Sequence, residues 1–173
     1  MTMKRHSFCP QLPSILISVL LWTCLMSTPP ALTQMPPLGN NLRQAAAATR
    51  TQADIVTRAA GTWASRSNSA SYNVGQFQND FGNIQMQFQG LREQFNWVAG
   101  MARQLGRTRA DNAVAELDAG LNIISELFVF LQNEFNAGTL DRASIVRTAR
   151  AFEDAMRVWQ REFVKCSSRL GIA

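Results

Sequence analysis

All six prolines of this 173-residue chain stand at or before Pro37, and the 136 residues that follow contain none. Proline inside a helix removes a hydrogen bond and clashes with the preceding turn. A stretch this long without it is most simply helices joined by short turns. Histidine is as scarce: His6 is the only one. Cysteine is limited to Cys9, Cys24 and Cys166. His6, Cys9 and Cys24 all fall in a segment that reads as a removable leader. Cys166 then remains alone, and an internal disulfide is excluded. N-x-[ST] acceptors are missing too, which suits bacterial export. So are C-x-x-C-H, G-x-S-x-G, a phosphate-binding loop and a dinucleotide fingerprint.

What is present begins with that leader. Lys4, Arg5 and His6 precede a short apolar run, ILISVLLWTCLM at 15–26, and a polar, proline-rich STPPALTQMPPLGNN follows. A basic start, a short apolar run and a polar break describe a secretory signal peptide. A membrane span needs about 20 apolar residues, more than this run supplies. Ser27 or Thr33 fits the last leader position. An uncleaved anchor and a lipoprotein modified at Cys24 are the alternatives; the second has Trp22 and Thr23 where small residues are wanted. The expected organisation is a signal peptide with its c-region over 1–33, a Pro/Asn-rich linker over 34–41 and one helical domain over 42–171. The expected location is exported, periplasmic or extracellular.

Heptad spacing carries the fold. From Val74, alternate steps of three and four meet Phe77, Phe81, Ile84, Phe88, Leu91, Phe95, Val98, Ala102 and Leu105, all apolar. This a/d seam passes through GNIQMQFQG (82–90) without losing phase, although that stretch alone alternates like a strand. Two more seams follow: Val114, Leu117, Leu121, Ile124, Phe128, Leu131, Phe135, and Ile145, Ala149, Phe152, Met156, Trp159, Phe163, Cys166, Leu170. A weaker, alanine-rich one precedes them: Leu42, Ala46, Thr49, Ala53, Val56, Ala60, Trp63. Turns are expected at SNSAS (67–71), LGRT (105–108) and NAGT (136–139), with Thr108 and Thr139 as N-caps and Gly138 as a helix stop. The fold class is all-α: an antiparallel, heptad-packed, up-down-up-down four-helix bundle. The glycines of the second helix, Gly75, Gly82, Gly90 and Gly100, lie off its seam and read as a close approach of the alanine-rich first helix.

These seams bear on chemistry. Thr49 is their single polar member, and none of them carries a charge. Active sites in helical bundles are built from side chains that project inward, so the reading is non-enzymatic, with no catalytic residue, metal or cofactor expected. Glu153 is placed to pair with Arg157 one turn on. Cys166, at a d position, reads as core. The Gln- and Asn-rich face between Gln76 and Asn96 reads either as a solvated surface or as one that hydrogen-bonds a partner or polysaccharide.

Two surfaces stand out as candidates. One is a second apolar stripe on the third helix, Ile123, Leu127 and Phe130 with Val129 beside it; unless it is internal, it offers a self-association surface. The other is electrostatic. The turn at 105–108, the start of the first helix and the end of the last share one pole of such a bundle. Arg43, Arg103, Arg107, Arg109, Arg161, Lys165 and Arg169 are expected there, as a site for anionic surfaces. The function expected is binding or scaffolding in the periplasm or cell envelope. Its partners would be a second copy of the chain, an anionic envelope surface or another envelope protein, without specific nucleic-acid recognition. The rival readings are a carrier of an apolar ligand in the aromatic core and an enzyme.

Overall fold

A computed structural model describes residues 38–106 and 108–172. The expected leader over 1–33 lies outside them. The described residues form four α-helices and no strand, as a four-helix bundle requires: α1 (Leu38–Ser67), α2 (Val74–Gln104), α3 (Thr108–Asn136) and α4 (Arg142–Leu170). GNIQMQFQG is helical throughout. The first helix starts at Leu38, so the last four residues of the expected linker, 38–41, belong to α1.

Side-chain contacts give the order and direction of packing. Arg66 of α1 meets Asp80 near the start of α2, and Gln52 reaches the Gln87 carbonyl further along, so the two helices run antiparallel. Phe77 packs on Phe135, and Arg103 faces Asp111, which sets α3 antiparallel to α2. Trp159 of α4 donates to the Leu117 carbonyl, while Phe152 packs on Phe128. Gln160 of α4 then bonds Asp54 of α1, closing the ring of neighbours.

The seams are the core. Of their 32 positions, all are buried except Val74, which is exposed at the first residue of α2, and Leu105 and Phe135, which are partly buried at helix ends. The large rings join the helices in two groups. Trp63, Phe77, Phe81, Phe88, Phe128 and Phe152 form a chain reaching all four helices, with centroids 4.9–6.4 Å apart. Towards the other end, Phe95, Trp159 and Phe163 pack together, and the Arg50 guanidinium lies 5.9 Å from the centre of the Phe163 ring.

Local chemistry sets the turns. Asn73 caps α2 by a capping box with Gln76, a pairing missing from the expected signals. Trp63 donates to the Tyr72 hydroxyl, which donates to Asp80, tying this turn to both helices. Burial, followed by the Asp80 carboxylate, pushes the Tyr72 phenol up to about 12. Gly138 stops α3 with φ 68°. The cap of α4 is Asp141, not Thr139: its carboxylate accepts from the Ser144 amide at 2.6 Å, which also holds its pKa down.

Two glycines give opposite expectations. A Cβ on Gly120 of α3 would stand 2.9 Å from Trp159 Cδ1, and that indole is held by its bond to Leu117. Gly120→Ala is therefore expected to destabilise: overpacking costs about 1–3 kcal/mol against about 1 kcal/mol of helix propensity gained. Gly82 has nothing within 4 Å, so Gly82→Ala is expected to stabilise by up to about 1 kcal/mol. Denaturant midpoints of the two variants test both signs. Gly82 and Gly100 also correct the expected close approach of α1: both face open space, and only Gly90 meets that helix, through Gln52 Nε2 at 3.6 Å.

Candidate functional site

The seven basic residues expected at one pole converge only in part. Arg43 lies near the start of α1, Arg103 at the end of α2, Arg109 at the start of α3 and Arg169 at the end of α4; Arg107 lies outside the described residues. Arg161 and Lys165 stand further along, in a groove beside Asp54, halfway down α1. The reason is helix height: at 1.5 Å per residue, Arg161 sits about 13 Å from the end of α4.

Three of these seven have acidic partners. Arg169 grips Glu116 with two bonds, 2.9 and 2.6 Å, and holds that carboxyl below the usual range. Lys165 pairs with Glu162 at 2.7 Å, and Arg103 lies 3.6 Å from Asp111. Arg109 and Arg161 have no ion-pair partner among the described residues.

The stronger asymmetry runs across the bundle. α1 and α4 together carry eleven basic and four acidic side chains, a net +7; α2 and α3 carry three basic and seven acidic, a net −4. Because α1 packs against α4 and α2 against α3, like charges gather on one side. Three of the eleven are engaged elsewhere: Arg66 with Asp80, Arg169 with Glu116, and Arg142 with the Ser67 and Asn68 carbonyls at the end of α1. With Arg43 set aside as well, the other seven still outnumber the four acids of the same two helices.

The seam between α1 and α4 opens into two adjoining grooves, 760 and 820 Å³, that share Arg157 and Gln160. Arg58, Arg66, Arg157, Arg161 and Lys165 line them; Asp54 and Glu153 are their acids. Arg157 pairs with Glu153 at 2.5 Å, as their i, i+4 spacing predicts. Asp54 is bonded by Gln160 at 2.6 Å. Both acids are thus occupied by groove residues, and Arg161 remains unpaired.

The apolar stripe of α3 faces outward. Ile123 is 60% and Phe130 48% exposed, and Leu127 between them is half-buried against the core. Val129 is exposed too, but six residues after Ile123 it sits about 120° round the helix, on the flank nearer α2. It does not extend the stripe. A matching row does: Ala151, Ala155 and Val158 of α4 repeat the i, i+4, i+7 spacing on the flank beside α3, and Val158 is exposed.

The aromatic rings expected to line an apolar pocket are packed on one another. Cys166 is buried, with Arg169 Nη2 2.8 Å from its sulfur. Burial raises its pKa. No helix among the described residues is long and apolar enough to cross a membrane. Compared with family models, curated proteins and solved structures, the chain matches none.

Proposed function

We propose that the protein is a non-enzymatic binding bundle of the cell envelope, exported by its leader, whose α1–α4 side attaches to an anionic surface. The observation that carries this reading is the charge segregation, +7 on α1 and α4 against −4 on α2 and α3. A field of this shape orients the molecule. An anionic surface attracts one side and repels the other, so attachment is side-on, along the helix axes. The carboxylates of α3 would face away, with the apolar stripe at their flank. The close packing of the aromatic rings favours this reading over a carrier, since their faces are already occupied by other rings. The test is co-sedimentation with vesicles containing phosphatidylglycerol and with neutral phosphatidylcholine vesicles. Binding confined to the anionic vesicles is expected; equal binding to both would remove the proposal.

The exposure of Ile123 and Phe130 favours a second reading: self-association through the apolar rows of α3 and α4. Phe130→Glu is expected to give a folded monomer where the wild type sediments as a dimer. Phe130 is half exposed, so the charge enters the interface and spares the core. A wild type that stays monomeric at high concentration would contradict this reading.

A further inference from the structure

Among the tryptophans of the described residues, Trp63 and Trp159 are core, while Trp97 on α2 is 72% exposed. It sits in a groove of 660 Å³ between α1 and α2, on the flank of α1 away from α4. That volume lies within the range of ligand pockets, about 300–1,000 Å³.

The lining is chemically selective. Gly100 lies one turn beyond Trp97, and a Cβ there would meet nothing within 4 Å, so a notch stays open beside the indole. Asn41, Asn96 and Gln104 place amides around it, and Glu93 is the one charged residue of the lining among the described residues. Leu38 and Met101 add apolar surface. Among the described residues the groove is therefore an aromatic face with an amide border and no cation, in a chain whose basic groove lies on the other flank of α1.

We propose that this groove binds a neutral hexopyranose unit of a polysaccharide. One face of a pyranose ring presents C–H groups, which carry slight positive charge and stack on the negative face of an indole. The edge of the ring presents hydroxyls that both donate and accept, and amides do the same. Glu93 accepts from hydroxyls and repels anionic ligands. This site is independent of the basic side: it uses a different groove and needs no net charge on the ligand.

A single stacking platform gives weak binding, so the titration must reach ~10 mM ligand. The full chain is titrated with cellotetraose and with chitotetraose, followed by tryptophan fluorescence and by the indole N–H signals in NMR, and the variants are compared with it by calorimetry, which needs no indole. A saturable change confined to Trp97, for at least one of the two oligosaccharides, is expected. Trp97→Ala should weaken binding at least tenfold while leaving thermal unfolding unchanged, because the side chain is exposed. Gly100→Leu should do the same with the indole still in place, by filling the notch. Choline and polygalacturonate are the cationic and anionic controls, and neither should compete. The proposal is overturned if neither oligosaccharide gives a saturable change, if choline binds in their place, or if both variants bind as the wild type does.

Discussion

Phe152→Ala is expected to lose about 3–5 kcal/mol of stability, the usual cost of truncating a buried phenylalanine. Phe152 is 1% exposed, and its ring centre lies 4.9 Å from that of Phe128 and 5.9 Å from that of Phe88. Removing it opens a cavity where α2, α3 and α4 meet. Domains of this size are stable by only about 5–15 kcal/mol, so the variant should unfold at much lower denaturant concentration and melt ~10–20 °C lower. Ile123→Ala, on the exposed stripe, is the control and should stay within about 0.5 kcal/mol of wild type. A Phe152→Ala loss below ~1 kcal/mol would mean that the rings do not form the close core described here.

The second large effect concerns attachment. Each Lys or Arg close to an anionic membrane contributes about 1 kcal/mol before screening. Changing Arg58, Arg157, Arg161 and Lys165 to glutamine should then cost up to ~4 kcal/mol, a factor of about 1,000 in affinity. Asp54, Glu153 and Glu162 already offset part of this charge, so the loss expected in the vesicle assay is ten- to a hundredfold. Wild-type binding should itself fall steeply with salt, as the screening length drops to roughly 8 Å at physiological strength. Thermal stability should change little, because exposed ion pairs such as Arg157–Glu153 contribute only about 0–1 kcal/mol. Unchanged affinity in the quadruple variant would leave the α1–α4 side without a role in attachment.

The fold was largely legible because one periodicity ran through it. The steps of three and four from Val74 to Leu105 name the buried face of α2 and override the strand-like alternation of GNIQMQFQG. Helix ends were less legible, since short polar side chains compete for the same capping role: Asp141, two residues past Thr139, holds the α4 amide. The candidate surfaces were legible only in part. Grouping charges by helix end placed Arg161 at a pole, whereas its height along α4 puts it in the middle of a groove. The sum for each helix was in the sequence, but its meaning depends on which helices are neighbours. Trp97 could not be singled out, because a tryptophan one residue from a seam position reads as a core margin. Its exposure follows from its angle relative to α1, which only the packed structure supplies.

Side-on attachment is tested most directly by asking which part of the bundle meets the surface. Thr62 of α1 lies in the groove, Ala119 is exposed on α3, and Arg109 marks the end near the 105–108 turn. Each is changed in turn to cysteine, in a background with Cys9, Cys24 and Cys166 replaced by alanine, and labelled with a fluorophore sensitive to its surroundings. On phosphatidylglycerol vesicles the label at position 62 should shift and become protected from an aqueous quencher, while those at 119 and 109 stay accessible. Protection strongest at position 109 would mean that the bundle stands on its end, and protection at position 119 that its acidic side faces the membrane; either result would contradict attachment through α1 and α4.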